Sequence, residues 1–332
     1  MKPIELSDIS HYRKPLMGMA MLFIMLFHTD MHHWYAMYSL KSLGNYGVDI
    51  FLFLSGIGLW FSWTNNPSLK RFFHRRIWRV YPEYLIIASI YYISDYLSNT
   101  PKIFTNVPDM IGNIAINLCF WNGNSRAFWF VPAIMALYAF APLYMNLIIK
   151  NPSYRWTPVF FILLPIFLQY NQTANDIFGH LELLTSRIPI FLIGLNCGDA
   201  IKNRKQLPAS SWPLILLTFA ISLTVALTLS GNPSIRYPIF LLRLCYIPLT
   251  ISSILLMCQM FRASAQWVVS GISFVGGISL ECYLIHEPFV LNYFRHGYDL
   301  GYCLTALTTI PIAILLAWIL HDINHLIVHI SK

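Results

Sequence analysis

The chain has 332 residues, of which 57% are hydrophobic, 16% aromatic and only 11% charged. A soluble domain carries about 25% charged residues, so a chain of mean hydropathy +0.56 lacks the polar surface to stay in water and reads as an all-α polytopic membrane protein. The formal charge of +8 does not call for nucleic acid as a partner, because positive charge in such proteins gathers on cytoplasmic loops.

A spanning helix needs about 20 mostly apolar residues. The opening MKPIELSDISHYRK is too polar for a cleaved signal peptide, so the first apolar run is read as a span. In chain order the pattern predicts about ten transmembrane helices, at 15–35, 44–63, 79–97, 127–149, 157–172, 183–201, 211–230, 238–260, 271–294 and 302–327. The fifth is short and contains Pro165. The stretch 109–121, DMIGNIAINLCFW, is too short to span and is expected to be interfacial or re-entrant. With the N-terminus inside, 15 of the 22 basic residues fall on inner segments, five of them between 64 and 79. That asymmetry predicts an even number of spans and both termini cytoplasmic. No repeat or long insertion divides the chain, which is expected to be one integral membrane domain, 1–332. The six cysteines (Cys119, Cys197, Cys245, Cys258, Cys282, Cys303) are scattered without a C-x-x-C pair, which argues against a disulfide framework or a zinc–thiolate site.

Ionisable groups inside spans are costly and so mark candidate sites. His28 lies 13 residues beyond Pro15, about 20 Å along a helix rising ~1.5 Å per residue, in the outer half of the bilayer. Asp49, Glu182, Arg187 and Arg243 fall in the outer half by the same count, Glu281 near mid-depth, and His286 and Glu287 further out. Asp30, His32 and His33 are expected at the outer interface. The bland reading of the buried set is charge pairs and interhelical hydrogen bonds that hold the bundle together.

Four stretches, in order, resemble the acyltransferase 3 family of polytopic membrane O-acyltransferases. They are LMGMAMLFIMLFH (16–28), GVDIFLFLSGIGLWFSW with RRIWRVYPEY (47–63, 75–84), FWFVPAIMALYAFAPLY (128–144) and SFVGGISLECYLIHEPFV (273–290). The resemblance implies about ten spans and transfer of an acyl group, often acetyl, from cytosolic acyl-CoA to a hydroxyl of an extracytoplasmic or lipid-linked glycan. It implies a multi-pass protein of the cell membrane, most simply a bacterial cytoplasmic membrane, with any partner enzymes of the cell envelope on separate chains. Two departures stand out. Met17 occupies the place of the usual arginine, and Leu280 that of the usual tyrosine after serine. Arg13, one turn before Met17, is expected to supply the displaced cation.

Histidine suits removal of a hydroxyl proton at neutral pH, which makes His28 the candidate general base. The resemblance adds His286, Asp49 and Trp129 to the catalytic set, and Arg13, Trp129 and His286 are candidate oxyanion donors. Arg75, Arg76 and Arg79 suit the phosphates of coenzyme A, since a guanidinium binds phosphate with two parallel hydrogen bonds. Arg13 and Tyr81 complete the expected donor site. Ser55, Gly56 and Gly58 offer small side chains for close packing or a tunnel. A proton-coupled transporter of a small solute or glycan precursor is the main alternative, opposed by the lack of repeat symmetry and of paired broken helices in the pattern. His28 with His32, and His321 with His325 and His329, have one-face spacing, yet without a clustered carboxylate or cysteine no metal is expected.

Overall fold

The computed structural model describes residues 3–31, 37–98, 106–124, 127–231, 237–298 and 300–330, the last helix with side chains to Asn324. The expectations for His32, His33, His325 and His329 lie outside what is described. The protein is a helical bundle. Its long helices are α1 (Arg13–His28), α2 (Gly47–Asn65), α3 (Leu69–Leu97), α4 (Phe130–Lys150), α5 (Thr157–Tyr170), α6 (Ile188–Lys202), α7 (Trp212–Gly231), α8 (Ile239–Ala263), α9 (Gln266–Gly277), α10 (Ser279–Ile285) and α11 (Gly301–Ile330).

Helix stands at all ten expected places, but not all of it is span-like. Among the described residues five helical stretches are long and apolar enough to cross a membrane: Tyr38–Asn65, Phe130–Lys150, Ala209–Gly231, Ile239–Ala263 and Gly301–Asn324. Two bent pairs raise the number to as many as seven. The other places fall short for physical reasons. Helix α1 has 16 residues and opens on Arg13 and Lys14, α5 has 14 residues, and the N-terminal half of α3 carries Lys70, Arg71, Arg75, Arg76 and Arg79.

The bent pairs also correct one sequence argument, since broken helices are present. Gln172–Thr185 meets α6 at 41°, and α9 meets Ser279–Gly297 at 59°. The second bend sits at Ile278, after Gly276 and Gly277. Beyond α10 the helix widens into a π turn, His286–Leu291. Pro288 within it has no N–H to donate to the preceding turn, which favours such a widening.

Glycines set the closest approaches around α1 and α2. A Cβ on Gly56 would stand 2.5 Å from the Phe191 carbonyl oxygen, and one on Gly194 2.3 Å from that of Phe53, so α2 and α6 pack backbone to backbone. Gly18 against Ile272 and Gly276 against Lys14 do the same for α1 and α9. Gly47 at the start of α2 stands against α1, where a Cβ would lie 2.5 Å from Ala20 O, so α1 packs closely on both α2 and α9. The expected interfacial stretch forms a helix, Val107–Ile116, that ends on the left-handed Asn117 (φ 52°). It is tied to α3 by the Tyr84 hydroxyl, which donates to Asn113 O at 2.7 Å.

The segments assigned to the inner side gather on one face. Ile4–Glu5 pairs antiparallel with Gln206–Leu207, Arg262 reaches Glu5 at 3.2 Å, and Lys202 donates to Asn65 Oδ1 at 2.7 Å.

Candidate active site

Histidines 28 and 286 meet where α1 ends and the π turn begins. His28 Nδ1 is 2.9 Å from Ile24 O, and His286 Nδ1 is 2.9 Å from Cys282 O and 3.0 Å from Tyr283 O. A carbonyl oxygen only accepts, so each Nδ1 carries the proton and each Nε2 keeps its lone pair. His286 Nε2 lies 3.1 Å from His28 Nδ1 and shares its proton with Ile24 O. His28 Nε2 is left as the basic nitrogen, 3.4 Å from Glu287 Oε2. A lone pair and a carboxylate facing one another are both acceptors, so a proton taken up by His28 Nε2 would be held by Glu287. Arg295 braces this corner. It donates to Asp30 at 2.6 Å and to His28 O at 2.6 Å, and lies 3.8 Å from Glu287 Oε1.

A cavity of about 320 Å³ lies within the bundle, and neither His28 nor His286 lines it. One end is walled by Ile24, Phe130 and Tyr283, the other by Arg13, Arg76 and Arg79. Ile24 is one turn before His28 on α1, and Tyr283 is one turn before His286, so the near end lies within a helical turn of the pair. The Phe130 N–H donates to the Tyr283 hydroxyl at 3.0 Å. Among the described residues that hydroxyl donates to no acceptor of its own.

The three arginines at the far end come from two helices. Arg13 opens α1, with Pro15 two residues inside, so the helix stripe linking it to Met17 is continuous. Both residues line the cavity. Its guanidinium lies against Gly58, where a Cβ would stand 2.8 Å from one terminal nitrogen and 2.9 Å from the other. Gly58 is thus the space that the arginine occupies, while Gly56 serves helix packing. Arg76 lies over the rings of Phe72 and Tyr138, 5.8 and 5.9 Å from their centres. The Nε atoms of Arg13 and Arg76 are buried and make no hydrogen bond. Buried cationic donors without an acceptor are poised for an anion.

The remaining expected residues fall elsewhere. Arg75 is exposed and does not line the cavity. The Tyr81 hydroxyl donates to Ala115 O at 2.8 Å and joins α3 to the 107–116 helix. Asp49 is fully buried and pairs with Arg187, Oδ2 to Nε 3.4 Å. Arg187 also donates to Asn45 Oδ1 at 3.1 Å and covers the Trp129 ring at 5.4 Å. Trp129 reaches Asp49 only through that arginine. Arg243 pairs with Glu182. The bland reading therefore describes Asp49, Glu182, Arg187 and Arg243 well. Arg13 stands 15 residues before His28, about 22 Å along the helix axis, which separates it from any oxyanion formed at the histidine.

Sequence reasoning passed over Tyr283, Tyr138 and Glu83, all on the cavity wall. Tyr283 had a signal, as the tyrosine three residues before His286 in ECYLIH. Tyr138 and Glu83 had none, because aromatic residues abound and Glu83 sits beside a basic segment.

A family model described as "Acyltransferase domain" (Acyl_transf_3) matches residues 16–322. No curated protein and no solved structure matches the chain.

Proposed function

The chain belongs to the acyltransferase 3 family, and from that premise we propose that this membrane acyltransferase moves an acyl group, most simply acetyl, from cytosolic acyl-CoA to a hydroxyl of an extracytoplasmic or lipid-linked glycan. The supporting observation is the cavity that joins Arg13, Arg76 and Arg79 to the residues beneath His28.

The phosphates of coenzyme A bind at the arginine end, where guanidinium donors lack acceptors. The pantetheine arm runs along the cavity and brings the thioester under His28. The acceptor hydroxyl approaches His28 Nε2 alongside Glu287. His28 removes its proton as the oxygen attacks the acyl carbon. Glu287, 3.4 Å away, stabilises the imidazolium that results. The Tyr283 hydroxyl donates to the developing oxyanion. Collapse forms the ester and expels the coenzyme A thiolate, which takes the proton from His28. Asp49 and Trp129 meet through Arg187 and do not touch the reacting atoms. In this reading the arginine face is cytoplasmic, the chain crosses ten times, and both termini are cytoplasmic.

The broken helices suit a carrier as well as an enzyme, so turnover decides. Purified protein given acyl-CoA and a glycan acceptor should release free thiol and ester in equal amounts. Transport of the acceptor with no thiol released would overturn the proposal.

A further inference from the structure

Beside the arginines the cavity has a second chemistry. Glu83 from α3, Glu281 from α10 and His321 from α11 all line it. One ligand atom of each lies within 4.8 Å of the other two. Both glutamates are buried, Glu83 at 8% and Glu281 at 3% exposure. His321 Nδ1 contacts Glu281 Oε1 directly. Asn324 donates to Glu83 Oε1 at 2.7 Å. This amide is itself 7% exposed, and its Oδ1 is buried with no donor among the described residues.

Two carboxylates in one dry site repel each other strongly. Arg79, one turn before Glu83 on α3 and on the same cavity wall, offsets part of this from the side, but the only positive group in contact with Glu281 among the described residues is the His321 imidazole. One divalent cation balances both. An imidazole nitrogen with carboxylate oxygens is a donor set for zinc and its first-row neighbours. The Asn324 amide that orients Glu83 is the kind of supporting contact metal-bound carboxylates have. Its unmatched oxygen is the state expected beside a cation. Spacing alone gave no reason to expect this, because His321 is brought to its carboxylates by helices more than 200 positions apart for Glu83 and 40 apart for Glu281.

We propose that Glu83, Glu281 and His321 form a binding site for a divalent transition-metal ion, such as zinc, in the cavity wall. The ion ties α3, α10 and α11 together and sets a positive charge on the path between the arginines and His28.

The test uses full-length protein purified in detergent without chelator. Metal content by mass spectrometry should be near-stoichiometric, or become so after zinc is added and excess removed. Zinc should raise the melting temperature of chelator-treated protein. Glu281→Gln and His321→Ala should abolish both effects, and His28→Ala should leave both intact. The readout is metal content, so it stands whether or not acyl transfer is the activity. Protein that neither holds nor takes up zinc overturns the proposal. Zinc retained in Glu281→Gln and His321→Ala but lost in His28→Ala overturns it too, placing the ion at His28, His286 and Glu287, the other group of suitable geometry.

Discussion

At the scale of single residues, the account rests on the proton positions of His28. Its Nδ1 is held by Ile24 O at 2.9 Å, which leaves Nε2 as the base. His28→Ala should lower the turnover rate at least 10²-fold, the ordinary contribution of general-base catalysis, with melting temperature near wild type because the side chain is only part-buried. Turnover within a few-fold of wild type would remove His28 from the chemistry. Gly58 gives a sharper test of the donor end. A Cβ there would press on the Arg13 guanidinium at under 3 Å. Gly58→Ala should therefore raise the KM for acyl-CoA several-fold while leaving the acceptor KM unchanged, as read from initial rates with each substrate varied in turn. Asp49 belongs to stability. Asp49→Asn strips the counter-charge from a fully buried Arg187, a change worth about 3–5 kcal/mol when one partner of a buried pair is lost. A large drop in melting temperature should follow, and pairing it with Arg187→Met should recover part of the loss.

His28 was legible in the sequence because an ionisable group within an apolar run is expensive and stands out. His286 was legible through its motif. Tyr283 carried a signal that was passed over, while Tyr138 and Glu83 carried none, because their places on the cavity wall arise only when α4 and α3 are brought together. Arg75 shows the limit from the other side. A run of arginines on a helix predicts charge, but 3.6 residues per turn decide which of them face inward, and Arg75 faces out while Arg76 and Arg79 line the cavity.

At the scale of elements, the apolar run lengths located the helices well, since a bilayer-length stretch is the strongest signal in such a sequence. Breaks within them were harder to see. The bend at Ile278 and the π turn at His286–Leu291 interrupt a segment that reads as one span, because a widened turn changes no residue's hydrophobicity. In the proposed mechanism the π turn matters, since it presents His286 and Glu287 together toward His28. Pro288→Ala restores an N–H that can close an ordinary α turn. The variant should keep or gain thermal stability and lose turnover, as Glu287 rotates away from His28 Nε2. Unchanged turnover together with unchanged stability would show that the widened turn has no part in catalysis.

At the scale of the whole molecule, the proposed mechanism places its two tasks at opposite ends of helix α1. Arg13, Arg76 and Arg79 line one end of the cavity, and the histidine pair, braced by Arg295, stands one helical turn beyond Ile24 and Tyr283 at the other. The two ends share helix α1, with Arg13 at its start and His28 at its finish. The most direct measurement puts the protein in sealed vesicles of known orientation and supplies labelled acyl-CoA to one face at a time. The account predicts that ester forms only when acyl-CoA reaches the arginine face, and that Arg76→Glu with Arg79→Glu suppresses it with orientation unchanged. Ester formed from acyl-CoA supplied only to the histidine face would contradict it.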